Sequence, residues 1–204
     1  LKAGLKTGSI ATLQNLTIDV SAVTGAVDLA HTTDAEPIIG SNVTITATEA
    51  AGALNIGAID AVTVGSGTAT VNAAGATKAV EVKDIGKNAK FKTINVNASE
   101  SLNAVTVGDM TADDITLNVG NTLGVVTTGT ITVEDSFTYT AGLKGAVDDT
   151  AAGAMIVDIA ADTAAATATT ITLNGNLGDD KFAITGGNNI TKDATITVKG
   201  DLGI

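Results

Sequence analysis

The feature that most constrains the fold of this chain is a ten-residue segment that occurs twice, 25 residues apart. The segment TITLNGNLGD, at 170–179, returns as TITVKGDLGI at 195–204, and a weaker copy, ITLNVGNTLG, lies at 115–124. When equivalent positions of successive coils stack one rung apart, at about 4.8 Å, threonine lies on threonine and glycine on glycine. The repeat therefore predicts an all-β fold, a parallel β-solenoid or β-helix with coils of about 25 residues. It places Ile171 and Ile196 one coil apart in the same column of the core.

Short segments in which Val, Ile or Leu alternates with Thr or Asn occur from one end of the chain to the other. Such alternation is the pattern of a half-buried strand, and the intervening Gly, Asn, Asp and Ser residues are typical of turns. Each coil should therefore add two or three strands. Two series of strand centres recur at intervals close to one coil: Asn55, Glu81, Thr106, Thr132 and Val157, and Thr44, Thr70, Asn95, Thr116 and Thr138.

The same alternation predicts which side chains point into the core. Because successive side chains of a strand point to opposite faces, a shift of one residue would turn a whole strand over. The inward residues should be Val80, Val82, Val105 and Val107, and the outward residues between them Glu81 and Thr106.

A pair of tandem antiparallel β-sandwich domains is the alternative fold, because strands separated by turn signals every 8 to 12 residues, roughly, also fit that architecture. The stretch 146–168 fits neither fold. It is rich in alanine, and Met155, Ile156 and Ile159 have helical spacing, so a short helix or a loop insertion is expected there. Residues 1–204 are predicted to form a single elongated β-rich segment of a larger protein.

The composition argues against several classes of function. All 11 basic residues are lysine, and the net charge of −11 is unfavourable for binding nucleic acid or an anionic membrane. No apolar run is long enough to span a bilayer, and the lack of cysteine removes disulfides and thiolate metal sites. Arginine and tryptophan are absent, and neither a G-x-S-x-G elbow nor a P-loop occurs. We therefore do not expect an enzyme.

The sharpest local motif is GNLGDDKFA at 175–183, which fits the calcium-binding nonapeptide G-G-x-G-x-D-x-U-x except at Asn176. In that motif, glycine carbonyls and aspartates of adjacent coils enclose Ca²⁺, a cation that prefers several oxygen ligands. Asp179 and Asp180 are therefore candidate calcium ligands. The alternative is a solvated turn between two strands, since residues 184–192 do not repeat the motif.

Other polar residues have weaker patterns. The pairs Asp113–Asp114 and Asp148–Asp149 lie in turn-like sequences, where solvated carboxylates are favoured and additional calcium ligands are the alternative. The only histidine, His31, has no second histidine to complete a metal or acid–base site. We expect it to be a solvent-facing loop residue.

The strands rich in Thr, Asn, Gly and Ala, the absence of Cys and Arg, and the segment TITLNGNLGDDKF resemble bacterial surface-layer (S-layer) proteins with RTX-like regions, such as those of Campylobacter. The resemblance implies export by a type I system, calcium-assisted assembly and a two-dimensional lattice on the outer membrane. By position it implies calcium ligands at Gly175, Gly178 and Asp180, with Asp179 as a neighbour. The chain departs from the motif at Asn176 and has no tandem copy of it.

The expected function is therefore structural: an extracellular segment at the bacterial cell surface that forms a protective lattice, with calcium as the candidate cofactor. The expected partners are further copies of the chain, other segments of the same protein and outer-membrane polysaccharide. The alternative is a segment of a repetitive adhesin or autotransporter passenger, which would share the strands and the acidic surface. An enzyme on a β-helix, such as a polysaccharide lyase, is disfavoured because the chain lacks Arg and Trp.

Overall fold

The computed structural model describes residues 14–29, 37–48, 52–120, 126–140, 155–159, 168–174, 182–186 and 193–199. Within these ranges the chain forms strands and no helix. The strands are β1 (Asn15–Asp19), β2 (Val27–Asp28), β3 (Ile38–Gly40), β4 (Asn42–Thr46), β5 (Leu54–Ile56), β6 (Ile59–Ala61), β7 (Thr68–Asn72), β8 (Val80–Val82), β9 (Phe91–Asn97), β10 (Val105–Val107), β11 (Met110–Asn118), β12 (Val126–Thr128), β13 (Ile131–Thr140), β14 (Met155–Ile159), β15 (Thr169–Asn174), β16 (Phe182–Gly186) and β17 (Ala194–Lys199).

The strands stack into a parallel β-solenoid of about five turns. The largest sheet has ten strands, and its path runs β1-β4-β7-β9-β11-β13-β14-β16, with β15 and β17 continuing from the second half of β13. A five-stranded sheet, β12-β10-β8-β5-β2, forms a second side, and β3 pairs with β6 in a short third sheet. Strands of successive coils pair in parallel. The alternative of antiparallel β-sandwich domains is therefore wrong.

The predicted core column is confirmed. Ile171 lies directly opposite Ile196 in the pairing of β15 with β17. The same column continues through Phe137 to Ile115, so residues 115–118 of the weaker sequence copy are also in register. Ile171 is fully buried between β13 and β17, whereas Ile196 is 52% exposed; β15 is the described strand that pairs with β17.

The predicted inward and outward residues are also confirmed. Val105 pairs with Val80 and Val107 with Val82, and all four are buried. Glu81 and Thr106 lie between them on the outer side and are half-buried.

The second predicted series of strand centres is correct, whereas the first changes sheet part-way. Thr44, Thr70, Asn95, Thr116 and Thr138 lie directly opposite one another in the large sheet. Asn55, Glu81 and Thr106 do stack in the five-stranded sheet, but their next neighbour there is Thr127. Thr132 and Val157, which the first series included, belong to the large sheet instead. The reason is that the coil between Thr106 and Thr127 is shorter than 25 residues.

The expectation of a helix or a loop in the alanine-rich stretch is wrong for Met155–Ile159. These residues form β14, which pairs in parallel with β13 on one side and β16 on the other. The hydrogen bonds offered by the neighbouring coils therefore override the helical spacing of the apolar residues. The rest of 146–168, apart from Ala168, lies outside the described residues.

The core is a narrow column of branched aliphatic side chains, as the composition suggests. Val43, Ala69, Ile94 and Ile115 follow one another across successive strands and are all buried. Phe91, Phe137 and Tyr139 are the largest fully buried side chains.

The turn between β6 and β7 requires a glycine at position 67. Gly67 has a φ of +71°, and a Cβ there would lie 1.6 Å from the carbonyl oxygen of Ser41 in the preceding coil. Only glycine fits that backbone conformation and that close approach. Gly65 also has a φ of +71°, so both glycines serve the turn of the coil.

Candidate functional site

The predicted calcium ligands Gly175, Gly178, Asp179 and Asp180 lie outside the described residues. They fall in the chain between β15, which ends at Asn174, and β16, which begins at Phe182. His31, Asp148 and Asp149 also lie outside the described residues. Their predicted roles stay predictions.

The outer side of the large sheet forms a regular polar surface, which we call the threonine face. It consists of the outward residues of five adjacent strands in three columns. Its members are Asn42, Thr44 and Thr46 of β4; Thr68, Thr70 and Asn72 of β7; Thr93, Asn95 and Asn97 of β9; Asp114, Thr116 and Asn118 of β11; and Ser136, Thr138 and Thr140 of β13.

The middle column of the threonine face extends beyond these five strands. Thr17 of β1 lies opposite Thr44, and Thr172 and Thr197 continue the column past Thr138. Neighbouring strands of a sheet lie about 4.8 Å apart, so hydroxyl groups repeat at that interval along the stack. The column therefore contains threonine in every strand except β9, which has Asn95.

A column of asparagines ends the threonine face where the strands turn. The side-chain oxygen of Asn97 accepts hydrogen bonds from the N–H and the hydroxyl of Ser99, at 3.2 and 2.7 Å. The oxygen of Asn118 accepts the N–H of Gly120 at 3.1 Å. The amide of Asn97 also donates to the side-chain oxygen of Asn72 in the preceding coil, at 3.4 Å. These side chains cap the strand ends locally and link adjacent coils.

Two aspartates link successive coils at the corner between the five-stranded sheet and the large sheet, which we call the aspartate corner (Asp84 and Asp109). Oδ1 of Asp84 accepts the backbone N–H of Asp109 at 2.9 Å. Oδ1 of Asp109 in turn accepts the N–H of Thr130 at 2.9 Å. Lys87 lies 2.6 Å from Asp84 and 3.6 Å from Asp109, so one ammonium group pairs with both carboxylates.

The aspartate corner requires glycine in the coil that follows each carboxylate. A Cβ at Gly108 would lie 2.4 Å from Oδ1 of Asp84, and one at Gly129 would lie 2.4 Å from Oδ1 of Asp109. Both glycines would also bring a Cβ within 3.0 Å of backbone atoms. Glycine thus leaves room for each carboxylate to reach the backbone of the next coil.

An ion-pair cluster spans three coils at the start of β9, β11 and β13. Nζ of Lys90 lies 2.7 Å from Asp113 and 2.5 Å from Glu134, and Lys92 lies 3.5 Å from Asp113. Burial disfavours the charged form of Lys90, but the hydrogen bonds and charges of Asp113 and Glu134 outweigh it and raise the pKa of Lys90 above its ordinary value. The cluster holds β9, β11 and β13 together.

The expectation that Asp113 and Asp114 lie in a turn is wrong, because both belong to β11. Their carboxylates have partners in other coils: Asp113 pairs with the two lysines described above, and Asp114 accepts the hydroxyl of Ser136 at 2.6 Å. An irregularity in register explains the arrangement. Two residues of β13, Glu134 and Asp135, face the single Asp113 of β11, and this bulge aims side chains away from the regular columns.

Asp60 is a buried carboxylate with a structural role. It is 3% exposed and accepts the backbone and side-chain N–H groups of Asn88 at 3.1 and 2.8 Å, and the N–H of Ala89 at 3.3 Å. These donors belong to the following coil. Hydrogen bonds of this kind compensate for removing a charged group from water.

The inter-coil contacts of the aspartate corner and the ion-pair cluster were missed by sequence reasoning. The partners in different coils lie 21 to 44 residues apart in the chain, so only the register of the coils brings them together. One signal was available: an aspartate follows closely after the strand in both Val82-Lys83-Asp84 and Val107-Gly108-Asp109.

Within the described ranges, no group of three or more His, Cys, Asp and Glu side chains is arranged to hold a metal ion. Among the same residues there is no helix long and apolar enough to cross a membrane. Comparison of the chain with protein-family models, with curated proteins and with solved structures finds no match.

Proposed function

We propose that this chain is a structural segment of an extracellular bacterial surface-layer protein, where it forms part of a protective lattice at the cell surface. The observation that carries the proposal is the threonine face, in which the same neutral polar residues return in coil after coil of a parallel stack. A stack of this kind supplies length and a regular surface at the same time. Those are the properties that a lattice-forming segment needs.

The placement of the carboxylates supports a structural role. Asp60, Asp84, Asp109 and Asp113 each contact a residue of a neighbouring coil. Carboxylates that serve catalysis converge on a space that a substrate can enter. These instead bind the coils to one another.

Surface labelling of the source bacterium tests the location. An antibody against this segment should label intact cells, and protease added to intact cells should remove the signal. Electron microscopy of the same cells should show a regular array that is lost when the gene is deleted. Labelling only after the cells are permeabilised would contradict the proposal.

Calcium-assisted stability belongs to the same proposal and rests on the motif at 175–183. A cation that binds only the folded chain stabilises it by mass action. Millimolar calcium should therefore raise the melting temperature more than sodium at equal ionic strength, and Asp180→Asn should remove most of that difference.

The matched control for the calcium experiment is Asp193→Asn, which makes the same charge change at an exposed residue outside the motif. This variant should keep the full calcium effect. Equal melting temperatures in calcium and sodium for the wild type would contradict a calcium site in this segment.

A further inference from the structure

The distribution of charge over the solenoid is uneven. The chain carries a net charge of −11. On the threonine face, however, Asp114 is the one charged residue, and its carboxylate is hydrogen-bonded to Ser136. The outer column of the five-stranded sheet includes Asp28 and Glu81. The aspartate corner adds two further carboxylates.

Charged residues border the threonine face at the ends of its strands. Lys92, with 57% of its side chain exposed, lies before the start of the face in β9 as part of the ion-pair cluster. Glu100 lies in the exposed turn beyond the end of the same strand. The centre of a protein–protein interface is usually depleted of charged residues and its rim is polar, and the threonine face shares that depletion of charge.

We propose that the threonine face is the surface through which two copies of this chain pack against each other. Copies that each carry strong negative charge repel one another, so they approach most easily through a surface that is nearly free of charge. Threonine hydroxyls and asparagine amides both donate and accept hydrogen bonds, so the face can pair with a copy of itself. A surface of carboxylates could not do so.

The size of the threonine face sets the strength of this contact. Five strands about 4.8 Å apart and five residues about 3.3 Å apart cover roughly 400 Å². A standard stable interface buries about 800 Å² per partner. A single pair of faces should therefore associate weakly and reversibly, and several weak contacts can add up in a lattice. The inference thus deepens the proposed function and rests on it.

Sedimentation equilibrium of the purified chain tests the inference. The wild type should self-associate as its concentration rises. Thr116→Glu and Thr70→Glu each place a charge in the middle of the threonine face and should weaken association about tenfold, because like charges then face each other. Circular dichroism and thermal melting show whether each variant still folds.

The matched control is Thr127→Glu, the same substitution at a half-buried residue in the outer column of the five-stranded sheet. It should leave association unchanged. An equimolar mixture of Thr116→Glu and Thr116→Lys should associate better than Thr116→Glu alone, since the opposite charges attract across the contact.

Two results would overturn the inference without deciding the proposed function. One is an association that Thr127→Glu weakens and Thr116→Glu does not, which would place the contact on another surface. The other is a wild-type chain that stays monomeric up to millimolar concentration, whether or not it binds a neutral polysaccharide. Surface labelling of cells decides the proposed function separately.

Discussion

At the scale of single residues, Asp84 shows how one carboxylate fixes the contact between coils. Partial burial opposes its ionisation, but the hydrogen bonds from Lys87 and from the N–H of Asp109, with the charges of Lys87 and Lys83, outweigh burial. The pKa of Asp84 therefore lies below its ordinary value. A carboxyl with a lowered pKa stabilises the folded state above its unfolded pKa, and this contribution is lost as the pH falls through the folded pKa.

The Asp84→Asn variant should be less stable than the wild type at neutral pH, by about 0.5–1 kcal/mol, because the amide keeps the size but not the charge that pairs with Lys87. The difference should shrink as the pH falls below about 3.9, the ordinary pKa of aspartate. Denaturant unfolding from pH 7 to pH 2, roughly, measures both effects. Glu100→Gln, at an exposed position, is the control and should change stability little. If the difference in free energy of unfolding between Asp84→Asn and the wild type stays constant across this pH range, Asp84 does not have a lowered pKa in the folded state.

At the scale of elements, β11 illustrates how each strand divides its residues between the core and the outer surface. Ile115 is 1% exposed and stacks between Ile94 and Phe137. Thr116, the next residue, lies on the threonine face and is half-buried. The strand owes most of its stability to the inward residues, because burial of apolar side chains is the dominant favourable term.

Ile115→Ala should therefore destabilise the chain by about 2–5 kcal/mol, the usual range for emptying a packed core position. Thr116→Ala should cost less than about 0.5 kcal/mol, as substitutions on an outer surface usually do. Denaturant unfolding of both variants makes the comparison. A larger loss for Thr116→Ala than for Ile115→Ala would mean that the register of β11 is shifted by one residue.

Apart from β14, the strands of the large sheet were predictable from the sequence because their alternation is local and repeats at each coil. The second series was correct even where its intervals shorten after Asn95, since each centre was chosen from its own apolar or aromatic neighbours. The first series failed after Thr106 because a constant interval was assumed while β10 and β11 lie only two residues apart. Coil length depends on how tightly each corner turns, and local alternation does not encode that.

The candidate sites were less predictable than the fold. The contacts of Lys90 with Asp113 and Glu134 depend on a bulge in β13 that no periodic pattern indicates. The predicted calcium ligands lie outside the described residues, so the motif remains the basis for that prediction.

At the scale of the whole molecule, each coil contacts chiefly the coil before it and the coil after it. The stability of such a stack is approximately a sum of contributions from coils and from the interfaces between neighbours. Strands in the middle have an interface on both sides. In the described part of the large sheet, the end strands β1 and β17 each have a neighbouring strand on one side.

Amide hydrogen exchange should therefore be slowest in β7, β9 and β11 and should quicken toward β1 and β17, because terminal coils open without the rest unfolding. Mass spectrometry of peptides from the exchanging native chain measures this gradient. Equal protection from β1 to β17 would instead indicate that the whole stack opens as one cooperative unit.

The aspartate corner also bears on how a molecule of this kind can change in length. Asp84 and Asp109 occupy equivalent positions 25 residues apart, and each meets the backbone of the coil that follows. Residues 84–108, from the first of these aspartates to the residue before the second, make up a complete coil. A gene segment that encodes them therefore supplies a coil with its own carboxylate and its own glycine. Duplication or loss of that segment keeps every sheet in register, so the stack can grow or shrink by whole coils while both ends stay unchanged. An insertion that does not add a whole coil must be accommodated in the turns.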